Sequence, residues 1–356
     1  MRLFLLFLSF VLAIAHFPIV LGSSYKFRAV DHSYNLNLQK HCANPQFLSG
    51  EDPEKKIMHG VPVPKGKYPW AVALNTTWSD GRAATWCGGT LISSRHVLTA
   101  RHCFETEPGQ PRPYVSLMVG GVCYAKGEHC KEVDMRSVEI EFAAFEPKVE
   151  DGGDESLKLQ NHAHDLAIVQ LKEDLKHFAG GNPEFKDTRP ACIAPQHDKL
   201  PKEMHVYGWG VTEKSKTGAK HLMEVNLPVL DIENDPLAKK PEFEGYYHNI
   251  CTSPKLYCLH SPEPGSKKDG AGGDSGTGIA GRRGHLAVLY GSTIAGVGDW
   301  QLNIATRVQQ QAYDICYYTG VCTEKAWAGH VDAKKVKIKL RAFFDPNQPK
   351  NIVDEE

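Results

Sequence analysis

The 356-residue chain carries 41 Lys and Arg against 42 Asp and Glu, for a formal net charge of −1. A hydrophobic content of 41% supports a real core and excludes a disordered chain. The near-neutral balance gives no reason to expect nucleic acid or an acidic partner.

The N-terminus opens with Met1-Arg2 and an apolar run from Leu3 to Ile14. A basic start, an apolar stretch and small residues at Ala13, Ala15 and Gly22 predict a secretory signal peptide over residues 1–22. His16 and Pro18 interrupt the run before it spans a bilayer, and no later stretch is apolar enough to do so. The expected address is therefore secreted and extracellular. The 10 cysteines are even in number, which in an exported chain suggests disulfides rather than metal ligands. Asn75-Thr76-Thr77 is an N-glycosylation sequon and fits export.

Residues 23–56 are polar without a clear period and read as a pro-segment. Strands are expected over Tyr68–Leu74, Thr85–Ile92, His96–Thr99, Val115–Val119, Val138–Phe142 and Leu166–Leu171. A second series covers Met204–Trp209, Met223–Leu230, Leu256–Leu259, Leu286–Gly291 and Asn303–Val308. Many short strands between Gly, Pro and charged turns predict an all-β barrel or sandwich. Val308, Ala312, Tyr313 and Cys316 have helical spacing. From about Thr323 a tail follows, in which Lys334 to Arg341 alternates basic and apolar residues. As a strand it would show one basic and one apolar face. That face would serve polyanions, an acidic substrate or an adhesive role, or it is simply a solvated strand docked on the barrel, with lysines guarding an edge.

Gly272-Gly273-Asp274-Ser275-Gly276-Thr277-Gly278 carries the chemistry. Glycines permit a strained turn that pushes a hydroxyl outward, and the N–H groups of Gly273 and Ser275 can hold a developing oxyanion. A serine is a weak nucleophile and needs a base, and the base needs an orienting group. Candidates lie upstream in Leu98-Thr99-Ala100-Arg101-His102-Cys103 and in His164-Asp165-Leu166-Ala167. The order His, Asp, Ser is one of the known orders for a triad. His162-Ala163-His164 lacks further obvious ligands, so a metal site is not expected, and neither is a required cofactor.

These motifs together resemble the secreted chymotrypsin-type, trypsin-like serine proteases, from about Ile57 to about Val308. The resemblance implies two packed six-stranded antiparallel β-barrels, a short C-terminal helix and a C-terminal extension. The division is then a signal peptide (1–22), a pro-segment (23–56), a protease domain (57–322) and an extension (323–356). It implies catalysis by His102, Asp165 and Ser275 with an oxyanion hole at Gly273 and Ser275. Glu54-Lys55-Lys56-Ile57-Met58-His59-Gly60 resembles the family's activation junction, cut after Lys56 so that Ile57 pairs with Asp274. Asp269, six residues before Ser275, resembles the base of a specificity pocket for Lys or Arg. Leu289 to Gly296 can be laid on the pocket wall in more than one register; the one placing Gly296 at the rim puts Ile294 where the family has a serine.

Cys87 and Cys103 match the family bridge beside His102, and Cys192 resembles the cysteine tethering a pro-segment, here through Cys42. Cys251 and Cys258 resemble the bridge before the nucleophile loop. Cys123–Cys130 and Cys316–Cys322 look local to this lineage. Arg101 departs from the small residue common before the histidine, and Thr277-Gly278 from the usual Gly-Pro. The implied partners are a protein or peptide substrate, an activating trypsin-like protease and protein protease inhibitors. The rival reading is a catalytically silent protease-fold binding protein.

Overall fold

The computed structural model describes residues 25–42, 61–77, 83–105, 114–175, 187–212, 218–260, 273–284, 286–297, 301–325, 327, 330–347 and 352–354. The expected signal peptide, the Lys56-Ile57 junction and Asp269 lie outside the described residues. No helix among the described residues is long and apolar enough to cross a membrane.

In chain order, helix α1 (His32–His41) precedes the short strand β1 (Val61–Pro62). Then come β2 (Ala71–Thr77), β3 (Ala83–Leu91), β4 (His96–Thr99), β5 (Tyr114–Val119), β6 (Arg136–Val138) and β7 (Ile140–Phe145). Helix α2 (Glu155–Ala163) separates β7 from β8 (Ala167–Leu171). The second half holds β9 (Cys192–Ile193), β10 (Glu203–Gly208), β11 (Met223–Pro228), helix α3 (Tyr246–Thr252) and β12 (Leu256–His260). It continues with β13 (Gly278–Arg283), β14 (Leu286–Val297), β15 (Leu302–Arg307) and helix α4 (Ala312–Thr319). Two strands of the extension follow, β16 (Ala342–Phe344) and β17 (Ile352–Asp354).

The strands form two curled sheets, in the orders β17-β16-β7-β8-β4-β3-β2-β5-β6 and β1-β11-β10-β13-β14-β15-β12. All ladders are antiparallel except that of the two-residue β9, which runs parallel to β14. Each sheet has six strands of four residues or more among the described residues, and the shorter strands extend the edges. This is the double half-barrel expected from the resemblance. Some elements differ from the sequence expectation. The strand β13, Gly-Ile-Ala-Gly-Arg-Arg, has too few large apolar residues to show a period of two. The expected strand at Val138–Phe142 is split into β6 and β7. Helix α1 forms within the segment read as aperiodic; Asp31 caps it by accepting the Tyr34 N–H at 2.8 Å.

Strands β4 and β8 are buried at every position, so both of their faces are covered. The outer cover is the N-terminal segment. Gln170 of β8 accepts the Arg28 N–H at 2.7 Å and donates to Glu141 at 2.9 Å. Phe27 packs edge-on against Phe142, and Tyr25 stacks on Phe343 of the extension with ring centroids 5.0 Å apart. Tyr25 also donates its hydroxyl to Asp345 at 2.9 Å. Asn35 and Cys322 exchange two hydrogen bonds, at 3.1 and 3.0 Å. The two ends of the chain thus hold each other on the first sheet.

The alternation in the basic tail is preserved. Val336, Ile338 and Leu340 are buried, while Lys335, Lys337, Lys339 and Arg341 face outward. Asp314 of α4 accepts the N–H groups of Lys337 and Ile338 at 2.7 and 3.4 Å. The ladder itself begins only at Ala342, opposite Phe145.

The five disulfides are Cys42–Cys192, Cys87–Cys103, Cys123–Cys130, Cys251–Cys258 and Cys316–Cys322. Each bridge typically contributes about 2–4 kcal/mol, mainly by restricting the unfolded chain. Asn75 lies half-buried in β2, and its amide donates to Met118 Sδ at 3.1 Å.

His96 of β4 is completely buried, with Nδ1 at 2.8 Å from Ser93 Oγ. Burial above all, with the neighbouring Arg95 charge, lowers its pKa from 6.5 to about 3. The folded state therefore takes up fewer protons than the unfolded state below pH 6.5. Stability should be full above that pH and fall as pH drops towards 3. Urea unfolding across this window should show the loss, and His96→Gln should flatten the slope by one proton's worth.

Candidate active site

Strands β4 and β8 pair in register from His96↔Gln170 to Thr99↔Ala167. The residues just beyond β4 and just before β8 are consequently side by side, and these are His102 and Asp165. After Thr99 the chain makes one tight helical turn over Arg101–Cys103, which the Cys87–Cys103 bridge ties to β3. On the other side, Asp165 follows α2. That helix is capped by Asp154, which accepts the N–H groups of Ser156 and Leu157 at 2.7 and 3.2 Å. Asn161 fastens it by exchanging hydrogen bonds with both backbone groups of Val149.

His102 Nδ1 stands 2.6 Å from Asp165 Oδ2, and the His102 backbone N–H donates to Oδ1 at 3.0 Å. Both oxygens of the buried carboxylate are thereby engaged, which fixes the ring's rotation. Burial disfavours the imidazolium, but the charge and hydrogen bond of Asp165 outweigh it, and the pKa of His102 is raised. For Asp165, burial is again opposed, here by the His102 charge and hydrogen bonds, and its pKa is lowered.

Ser275 reaches this group through its backbone. Its carbonyl accepts the Gly88 N–H at 2.7 Å, and the Gly88 carbonyl accepts the Thr99 hydroxyl at 2.7 Å. Gly276 has φ +78, and a Cβ there would sit 2.2 Å from Thr99 Oγ1, 2.5 Å from the Gly88 carbonyl and 2.9 Å from the Ala100 nitrogen. The Ser275-Gly276 turn is thus pressed onto the strand end that leads to His102. Thr277 stabilises the turn from within, donating both its hydroxyl (2.6 Å) and its N–H (3.1 Å) to the Asp274 carbonyl. Asp274 is fully buried and its carboxylate accepts the Gly210 N–H at 2.8 Å. The carboxylate lies so close to the Gly208-Trp209-Gly210 turn that a Cβ at Gly208 would come within 2.1 Å of Oδ1.

The wall-strand register left open by the sequence is decided here. Gly276 donates to the Thr293 carbonyl at 2.7 Å and Thr293 donates back to Thr277 at 2.9 Å. Ile294 is then buried in the apolar cluster that contains Ala163, and Gly296 is exposed opposite Asn303.

Among the described residues, two groups of side chains approach metal-ligand spacing, Cys87 with His102 and Cys103, and Cys123 with Cys130 and His221. Their sulfurs are consumed in disulfides and offer no thiolate. His162 and His164 diverge. His164 contacts Glu146 through Nδ1 and Lys255 through Nε2, each at 2.5 Å, whereas the His162 ring lies 6.3 Å from that of Tyr246.

Residues 57–315 match the model of the trypsin family. The chain belongs to the trypsin family. It is similar to phenoloxidase-activating factor 3 of Holotrichia diomphalia, at 26% identity over 246 residues. That match covers 64% of this chain and 61% of the relative's length. Against the trypsin-family pattern, the feature that sequence reasoning noted without interpreting is Arg101. Its side chain is buried directly behind the histidine, with Nε 3.8 Å from Asp165 Oδ1. The signal was visible as a departure, but its direction was not.

The close approach at Gly276 has a measurable consequence. Gly276→Ala combines a positive φ with a backbone clash and should cost about 2–4 kcal/mol. Gly284→Ala, at φ +62 but in open space, should cost only about 1–2 kcal/mol. Denaturant unfolding of the two variants checks the difference.

Proposed function

We propose that this trypsin-family chain is a secreted serine endopeptidase that hydrolyses peptide bonds through Ser275, His102 and Asp165. The observation that carries the reading is the doubly hydrogen-bonded His102–Asp165 pair, with the Ser275-Gly276 turn docked on the same strand end. Ser275 attacks the scissile carbonyl, and His102 takes its proton and later passes it to the leaving amine. Asp165 holds the ring in one tautomer and stabilises the imidazolium. The N–H groups of Gly273 and Ser275 receive the oxyanion. Asp269 at the pocket base selects Lys or Arg through a charged pair.

In the proposed precursor, cleavage after Lys56 frees the Ile57 amine to pair with Asp274. The complete burial of Asp274 against the Gly208-Trp209-Gly210 turn supports this role, because a charged partner stabilises a carboxylate held out of water. Cys42–Cys192 would then keep the cleaved N-terminal segment attached. The similarity to a relative named as an activating factor points to another protein precursor as the substrate class. Export and glycosylation at Asn75 complete the reading; the Asn75 amide would have to leave Met118 to carry a glycan.

Labelling with an organophosphonate serine probe after activation tests the function. Labelling should be confined to Ser275, and Ser275→Ala should lose turnover on the order of 10⁶-fold. A folded protein that neither labels nor cleaves a peptide library would instead be the silent binding protein.

The switch is tested separately. Lys56→Gln should remain latent when treated with a trypsin-like activator. Asp274→Asn should be severely damaged, by about 3–5 kcal/mol for a broken buried pair. Sequencing of the active form should begin at Ile57, and full activity with any other start would exclude this route.

A further inference from the structure

We propose that Arg101 is a positioning residue, a fixed buried cation that holds Asp165 ionised and keeps His102 free to act as a base beside a second, half-buried acid, Glu105. The kinetic consequence rests on the triad reading; the electrostatic one does not.

Arg101 sits on the turn that carries His102, yet its side chain runs inward and is only 5% exposed. Nε lies 3.3 Å from Glu105 Oε1 and 3.8 Å from Asp165 Oδ1. Nη2 donates to the Asn161 carbonyl at 3.3 Å, which anchors the guanidinium to the end of α2. Among the described residues, Nη1 has no hydrogen-bond partner. A guanidinium cannot shed its proton in a protein, so the charge is permanent. A simple surface ion pair would leave it in water; here it is enclosed between two carboxylates.

The charge count around the ring explains the arrangement. Four groups form the cluster: Asp165 before β8, Arg101 and Glu105 on the ring's own turn, and the imidazole itself. Among the described residues, His162 of α2 and Lys148 after β7 are further titratable neighbours. With a neutral ring the four-membered cluster carries −1, and with an imidazolium it carries zero. Two carboxylates alone would hold the proton on the ring, and a base already protonated cannot accept one from serine. Arg101 cancels Glu105, so that only Asp165 acts on the ring.

The same count gives responses of opposite sign. Removing Arg101 leaves an excess acid beside the ring, whereas removing Glu105 leaves an excess cation. A residue serving only to fill space would not produce this pair. The direct probe is the His102 ring proton signal in Ser275→Ala full chain, followed by NMR through a pH titration. Arg101→Met should raise the midpoint by about half a unit or more, Glu105→Gln should lower it by a comparable amount, and Arg101→Lys should restore most of the wild-type value. In protein with Ser275 intact, the acid limb of kcat/KM should move the same way.

Unchanged midpoints, or shifts of the same sign in Arg101→Met and Glu105→Gln, would overturn the proposal. If Arg101→Met fails to fold, Glu105→Gln alone decides it: a downward shift supports the cation, and none refutes it. The titration needs no catalysis. Opposite shifts in a protein that never cleaves peptide would keep the electrostatic inference and remove the peptidase reading. Normal cleavage without the shifts would do the reverse.

Discussion

The two halves of the molecule meet at the backbone of Gly88. Its N–H binds the Ser275 carbonyl, and its own carbonyl binds the Thr99 hydroxyl. The space where a side chain would stand is filled by the Thr277 methyl, 2.2 Å from an ideal Cβ position. Contact this close requires glycine, because any side chain would drive the Ser275 turn off β3. Around it, Trp70 donates to the Tyr207 hydroxyl at 3.0 Å, and Thr90 Oγ1 lies 3.2 Å from the same oxygen. One sheet brings His102 and Asp165, the other brings Ser275, and this seam sets their relation.

Two buried carboxylates lie on either side of that seam and are handled differently. Asp165 is surrounded by groups that favour its charge: the His102 ring, the His102 N–H and the Arg101 guanidinium. Asp274 accepts the Gly210 N–H, and the glycines of that turn let its carboxylate lie against the backbone. Each burial would be costly for a carboxylate without partners. The local sequence supplies the means in both cases: glycines on both sides of Trp209, and an arginine where the family commonly has a small residue. The polar company of Asp165 comes from the His102 turn.

The first sheet depends on both chain ends. Residues 25–42 cover β8 and β4, residues 336–344 cover α4 and β7, and aromatic rings from Tyr25, Phe27, Phe142 and Phe343 lock the two segments together. Gln170 shows the cost of this cover: a polar side chain at zero exposure is acceptable only because Arg28 and Glu141 satisfy it. The exposed lysines of the extension alternate with its buried aliphatic residues, so its solubility and its docking come from one pattern.

The sequence by itself determined the features set by short-range pattern. Short runs of β-branched and apolar residues between turn residues, such as His96–Thr99 and Leu256–Leu259, marked the strands to within a few residues, and the spacing around His102, Asp165 and Ser275 marked the candidate triad. Alternation in Lys334–Arg341 already separated the buried face from the basic one. Only the tertiary structure decided what covers β8, because that contact joins residues more than a hundred positions apart. The same holds for β13, whose glycines and arginines become a strand only through pairing with β10 and β14. The register of Leu289–Gly296 was ambiguous along the chain and is fixed by two hydrogen bonds to the Gly276-Thr277 backbone. Arg101 is legible as a departure, but a side chain on a tight turn can face solvent or core. Its inward direction follows from Glu105, Asn161 and Asp165 converging on one buried point, and that convergence exists only once β4 and β8 have paired.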